Sequence, residues 1–380
     1  MLGDAIEGNV PNPRPSTDSR TMDVTLMTYI LGGRKLLYAL SCANGLPSLR
    51  TLRNHMAFTR IMPMIGTLSI ADILHNIQEV VLGLRAAAGR TTLRGVNLMI
   101  DEVALEERAV HFRHVNSVGG LCWRHSLVVN LVFSTYQSAL DLVKSLKDGK
   151  IHFAKEMTVV AASCFGESGT YPILALPTCK HVKAQDSRTI HEVVMAAWRS
   201  SGAVEKVGRI WSWATDGDMI RRVAGYEAFL TQKLSYTSTS CNYGTLAGMM
   251  GLNLWTGPDD VTLDFDFKHI FKRVCTLLRS PAGMAMNNGR IINPTMLAFP
   301  LLLGIIALGD LDYGAADANT CSDIDALRLP ATVIKSLLEP FTETSMNLTQ
   351  QMTSLATFSH LSFTLFHCSR LQYTADAWRS

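Results

Sequence analysis

The run Val96-Asn97-Leu98-Met99-Ile100-Asp101-Glu102-Val103 decides the reading of this chain. A mainly apolar, β-branched stretch that ends abruptly on two acids is too short for a core helix, and it reads as a buried strand over residues 96–100. Working outward, the pattern recurs. Residues 209–215 alternate Ile210, Ser212 and Ala214 against Trp211 and Trp213 and stop at Asp216, while Val261-Thr262-Leu263 runs into Asp264 and Asp266. Between these lie two apolar runs, residues 157–165 and 171–176, separated by Gly166-Glu167-Ser168-Gly169, which is a hairpin signal. No helix is expected to follow that loop directly, so it is not a hydrolase nucleophile elbow. A further short strand is expected over residues 119–124.

Helical periodicity fills the intervals: residues 127–146, a helix capped by Asp186 or Thr189, residues 219–234, and residues 268–278. In the second of these Ile190, Val193, Val194, Ala197 and Trp198 form the apolar face, and Thr189-x-x-Glu192 has the form of a capping box. An antiparallel start followed by alternating strands and helices predicts the α/β class, with a mixed sheet flanked by helices on both faces. Residues 25–88 read as helical with turns at Asn44-Gly45-Leu46-Pro47 and around residues 63–69, and nearly everything beyond Ser280 reads as helical. The expected organisation is a disordered tail over residues 1–22, a helical N-terminal region over 23–92, the sheet core over 93–280 and a helical region over 281–380.

At 380 residues and 47% apolar composition the chain can bury a large core. A net charge of +3 is too small to announce nucleic-acid binding, so any such claim rests on local clusters. The eight cysteines stand singly with no CxxC pair, which argues against a zinc ribbon or a disulfide framework and for a reducing compartment. His111, His114 and His125 with Cys122 lack tight ligand spacing and are expected to be structural. Residues 1–20 contain no apolar signal core, so a nuclear or cytoplasmic protein is expected and not a secreted one. Residues 296–308 are apolar but hold Pro300 and Gly304 and fall short of the roughly 20 residues of a membrane span, so a buried helix is expected.

Chemistry is expected where the acids end the strands. Ligands of open α/β sheets bind beyond the carboxyl ends of strands. Carboxylates gathered there repel unless a cation neutralises them, and hard oxygen ligands suit Mg²⁺ or Mn²⁺, two of which can clamp the oxygens of a phosphoryl transfer. Asp101, Asp216, Asp218 and Asp266 are the candidate metal ligands, though each could equally be a helix cap or turn residue. Residues 268–290 then carry Lys268, Lys272, Arg273, Arg279 and Arg290 with no acid, a segment able to meet phosphates. The Asp310, Asp312, Asp317, Asp323 and Asp325 stretch reads as an exposed loop without a metal.

Ile100-Asp101-Glu102-Val103, Ala214-Thr215-Asp216-Gly217-Asp218 and Asp264-Phe265-Asp266-Phe267-Lys268-His269-Ile270-Phe271-Lys272-Arg273 resemble the P-element and THAP-type DNA transposases. The resemblance spans about residues 96–279. It implies a ribonuclease-H-like core and DDE/D-type, Mg²⁺- or Mn²⁺-dependent strand cleavage and transfer on DNA. Asp101 and Asp216 would be the first two catalytic acids, with Asp218 and Asp266 as supporting ligands. Lys268, His269, Lys272, Arg273 and Arg279 would form a phosphate-binding segment, leading into a helical insertion that binds GTP in some members. The family's third acid lies in a Leu-Glu-x-x-Phe helix. The nearest match here, Leu338-Glu339-Pro340-Phe341, places Pro340 where it is expected to break that helix. The sequence therefore predicts a truncated or inactive copy. The alternative is a non-catalytic nucleic-acid- or nucleotide-binding protein on the same fold; a membrane-associated protein using residues 296–308 is a third possibility.

Overall fold

The computed structural model of the chain describes residues 18–55, 61–113, 115–237, 242–248, 253–281, 284–285, 291–292 and 318–372. His114, residues 296–308 and most of the expected tail lie outside these. The chain divides into two compact units, Met1–Arg60 and Ile61–Ser380. In the first, α1 (Ser19–Asn44) begins inside the segment read as a tail, because Asp18 caps it by accepting the Thr21 N–H at 2.8 Å. Helix α2 (Leu49–His55) follows, and Leu52 closes a small cluster with Met22 and Leu37.

The second unit opens with α3 (Ile70–Asn76), which runs through a π-helical stretch, Ile77–Gly83, into α4 (Leu84–Ala87). Then come β1 (Val96–Ala104), β2 (Val110–Phe112), β3 (Ser117–Gly119), α5 (Trp123–Ser126), α6 (Tyr136–Lys147), β4 (Glu156–Cys164) and β5 (Tyr171–Thr178). The crossovers follow: α7 (Ala184–Ser200), α8 (Ala203–Lys206), β6 (Ile210–Thr215), α9 (Met219–Phe229), β7 (Gln232–Lys233), α10 (Asn242–Ala247), β8 (Trp255–Thr256), β9 (Thr262–Phe265) and α11 (Phe267–Leu278). After the short β10 (Met284–Ala285) and β11 (Ile291–Ile292), two long helices are described, α12 (Ala318–Thr342) and α13 (Leu348–Gln372).

The main sheet is α/β and mixed, with five strands in the order β5-β4-β1-β6-β9. Strand β4 is antiparallel to both β1 and β5, whereas β6 runs parallel to β1 and β9 parallel to β6. Strand alternation sets what is buried. Val96, Leu98 and Ile100, Val160 and Ala162, and Ile210 and Trp213 all enter one core with Ile73, Ile77, Val194, Trp198 and Phe229 of the helices. The opposite face, with Asn97, Met99, Val159, Ala161, Ser212 and Ala214, is only half-buried. The 166–169 loop is a hairpin turn as expected, and Glu167 at its tip pairs with buried Arg85 and, at 3.0 Å, with Arg90.

Several local expectations give way to tertiary context. The strand expected over 119–124 shifts to Ser117–Gly119, and residues 123–126 are helical. The helix expected over 127–146 begins only at Tyr136, where Thr135 and Ser138 form a capping box. Helix α7 starts at Ala184, before Thr189, whose hydroxyl donates back to the Gln185 carbonyl at 3.0 Å; Asp186 supplies the cap by accepting the Lys183 N–H. Helix α9 ends at Phe229, five residues short of the expected end. Strand β1 continues past Ile100, because β4 keeps pairing with it through Ala104 after the β6 ladder has stopped at Met99.

Candidate functional site

Strands β1, β6 and β9 are successive parallel neighbours, so their carboxyl ends lie at one edge of the sheet. The last β1–β6 register pair is Met99 with Ala214. Asp101 and Asp216 each stand two residues beyond it, at the same level on strands about 4.8 Å apart. At β9, Asp266 closes the row: its N–H donates to the Thr215 carbonyl at 2.9 Å. The backbone thus places three of the expected acids along one edge.

Their environments differ. Asp101 is exposed, and its Oδ1 accepts the Glu102 N–H at 2.9 Å. Asp216 is half-buried, and its Oδ1 accepts the Asp218 N–H at 3.1 Å in the tight turn that Gly217 (φ 71°) makes possible. Asp218 is the N-cap of α9, accepting the Arg221 N–H at 2.9 Å. Asp266 accepts the Lys268 N–H at 3.0 Å and the His269 ring Nδ1 at 2.7 Å. Burial pulls its carboxyl upward, but these hydrogen bonds and the neighbouring positive charges outweigh it and hold the group below the ordinary carboxylate range. Asp264 moves the other way, raised chiefly by burial.

The residue that sequence reasoning missed is Arg221. Its side chain is only 7% exposed, and it forms an ion pair with Glu102 while its Nε stands 3.9 Å from Asp216 Oδ1. Burial lowers its pKa to about 10, opposed by the charge of Asp101, so it remains a cation at neutral pH. One guanidinium is therefore within electrostatic reach of Asp101, Glu102 and Asp216 together, and it leaves that edge net negative. A cavity of about 320 Å³ opens beside it, lined among others by Glu102, Glu156, Lys180, Asp216, Asp218 and Arg221. The sequence signal was the Glu102 next to Asp101; a lone Arg on a helix offered none.

Of the basic segment, Arg273 donates to the Gly217 carbonyl at 2.6 Å and so ties α11 to the Asp216 turn. Lys268, Lys272 and Arg279 are exposed, and His269 is held by Asp266. Glu339 needs a correction. Pro340 does not break α12, which continues to Thr342. The carbonyl that Pro340 deprives of its partner, that of Ser336, accepts instead from Ser354 Oγ of α13 at 3.1 Å. Phe341 stacks on Phe267 at 4.0 Å and brings the end of α12 to the start of α11. Glu339, two residues earlier and hence about 200° round the helix, pairs with Lys335 at 3.7 Å.

No protein-family model and no curated protein sequence matches this chain. A solved structure is similar. It is the Drosophila P element transposase strand transfer complex, at 10% identity and a TM-score of 0.38, aligned over 94% of this chain and 66% of that one. Among the described residues no helix is long and apolar enough to cross a membrane.

Asp101 and Asp216 stand on adjacent strands, each with a single carboxylate oxygen engaged by a backbone N–H, and could offer the other to a hard divalent cation. Oxygen ligands in a partly solvated, net negative setting are what Mg²⁺ and Mn²⁺ take.

Proposed function

We propose that this chain is a DNA-binding protein with a ribonuclease-H-like, transposase-type core, in which Asp101 and Asp216 hold a Mg²⁺ or Mn²⁺ ion. The observation that carries the reading is the level placement of these two acids on neighbouring parallel strands, both within reach of Arg221. The strand order supports the fold, since an antiparallel three-strand start joined to two parallel crossover strands is the arrangement a ribonuclease-H-like sheet requires.

When bound, the ion would supply Lewis-acid stabilisation of a phosphoryl oxygen. The chain's own residues do the rest. Asp218 and Gly217 fix the turn that presents Asp216, and Arg273 braces it. Arg221 limits the repulsion among the acids. Exposed Lys272 and Arg279 meet the DNA backbone. Of the other acids near this edge, Glu102 is withdrawn from metal binding by its ion pair with Arg221, Asp266 is engaged by His269, and Glu339 is engaged by Lys335. A two-ion mechanism needs its ligands held in fixed geometry, so DNA cleavage by this chain is slow.

The test joins a DNA-binding titration across salt to a Mn²⁺-dependent nicking assay, with the Asp101→Asn, Asp216→Asn double variant alongside. Binding that weakens steeply with salt, and trace nicking that the double variant loses, is the expected result. Absent or salt-independent binding overturns the DNA assignment. Fast turnover that the double variant abolishes overturns the incomplete-site part.

A further inference from the structure

A second cluster, chemically unlike the first, lies where β3, the α6–β4 connection and the end of β5 meet. Cys122 precedes α5, and its residue is fully buried. His125 is on α5, His152 lies between α6 and β4, and Cys179 and His181 follow β5. Cys122 Sγ lies 3.3 Å from His125 Nδ1, Cys179 Sγ lies 3.5 Å from the same nitrogen, and Cys179 Sγ lies 3.8 Å from His152 Nδ1. The ligand atoms of Cys122, His125 and Cys179 lie within 4.8 Å of one another, and so do those of His152, Cys179 and His181.

From these contacts we infer that Cys122, His125, His152 and Cys179 form a structural zinc site. Tetrahedral zinc with bonds of about 2.3 Å to sulfur and about 2.0–2.1 Å to nitrogen requires six ligand–ligand edges of roughly 3.3–3.8 Å; the three distances above fall in that range, and closing the site on the Cys122–His125–Cys179 triad needs the His152 ring, already against Cys179, to move in. Two thiols and two imidazoles make the Cys₂His₂ set of closed structural sites. An isolated thiol–imidazole hydrogen bond explains one such contact; it does not explain several sulfur and nitrogen donors converging from three separate segments.

The backbone already holds those segments together. The Cys122 N–H donates to the His152 carbonyl at 2.9 Å, Leu121 bridges Phe153, and the Ser126 hydroxyl donates to the Cys122 carbonyl at 2.7 Å. The Lys155 N–H donates to the carbonyl of Thr178, the residue before Cys179, at 2.9 Å.

The site has a structural task to perform. Residues 110–153 carry their own small core of Val118, Leu121, Leu142 and Ile151, separate from the main one. A core of that size stabilises little by itself, and small apolar cores are commonly stapled by a metal. A zinc ion joining Cys122, His125 and His152 to Cys179 would fasten this subregion to the main sheet. Binding releases the two thiol protons as the cysteines become thiolates. Half-buried His152 is the fourth ligand; exposed His181 stands beside it, the two rings 5.6 Å apart.

The experiment uses the full chain expressed in zinc-supplemented medium, with metal content measured after extensive dialysis. One zinc per chain is expected, reduced at least tenfold in Cys122→Ser and in Cys179→Ser and retained in His111→Ala. As the serine variants could fail to fold, wild-type protein stripped by a chelator is also titrated with Co²⁺. The expected product shows a thiolate-to-cobalt charge-transfer band and tetrahedral d–d absorption that added zinc abolishes. Loss of the metal in His152→Ala with retention in His181→Ala supports the ligand set, and the reverse overturns the choice of His152. No zinc and no such cobalt spectrum, or a Cys122–Cys179 disulfide found by mass spectrometry in freshly purified protein, overturns the site.

Discussion

The carboxylate edge and the Cys/His cluster sit on the same sheet, and Cys179 even lines the cavity that Asp216 and Arg221 share. They use opposite chemistry. The edge gathers hard oxygens around the buried Arg221 cation beside an open cavity, so its charge is already partly balanced. The cluster gathers thiols and imidazoles, with Cys122 and Cys179 buried and His125 and His152 half-buried. If both proposals hold, the difference teaches that the first can persist without a metal, while the second depends on one.

The largest effect expected is at Arg221. Replacing it with Met removes the partner of Glu102 and leaves three acids together. Breaking a buried ion pair in this way typically costs about 3–5 kcal/mol. Denaturant unfolding of Arg221→Met in EDTA should show that loss, and Mn²⁺ should restore part of it. An unchanged midpoint would mean that the guanidinium does not balance this edge.

Zinc removal ranks next and sharpens the contrast. A ligand present at 100 times its dissociation constant stabilises by about 2.7 kcal/mol. Stripping zinc should lower the melting temperature accordingly, whereas removing Mg²⁺, held by fewer ligands at an edge that Arg221 already balances, should lower it by less. Equal sensitivity to both would erase the distinction.

His191 shows what a buried histidine looks like with no ligand role. It is 2% exposed, packs between Trp213 and Phe229, and has no hydrogen-bond partner for either ring nitrogen. Burial lowers its pKa from 6.5 to about 3. The unfolded chain therefore binds a proton between those values that the folded chain refuses. Stability from this group is complete above about pH 6.5 and falls as pH drops towards 3, by an amount on the order of a few kcal/mol. His191→Phe should flatten that part of the stability profile, measured by denaturant unfolding across pH. An unaltered slope would assign the acid sensitivity elsewhere.

Smaller effects belong to the rim. At Gly217 a Cβ would meet Phe265 at 2.9 Å in a left-handed conformation, so Gly217→Ala should cost about 1–3 kcal/mol and displace Asp216. Lys272→Ala should leave stability within about 0.5 kcal/mol but reduce the salt slope of DNA binding by roughly one phosphate contact. A stability loss at Lys272 would show that it packs and does not bind.

Much of the sheet was legible because its strands are short apolar runs, and the period-two pattern of β1 and β4 survives in the fold; in β6 a register shift after Ile210 puts Ile210 and Trp213 in the core together, against the expected alternation. Element starts were less legible. Of the two caps read for α7, Asp186 serves by accepting the Lys183 N–H, and Thr189 lies inside the helix. The reading of Pro340 as a helix breaker failed because Ser354 of another helix takes up the stranded carbonyl, a partner no local window contains. Asp101 and Asp216 could be found by their strand ends. Arg221 and the Cys/His cluster could not, since Cys122, His152 and Cys179 become neighbours only when β3, the α6–β4 connection and β5 are brought together.

The most direct test of the central claim is the position of a bound ion. Crystals of the chain grown or soaked in Mn²⁺ should show an anomalous peak within about 2.0–2.6 Å of a carboxylate oxygen from both Asp101 and Asp216. Saturating Mn²⁺ with no peak between those two residues would contradict the account.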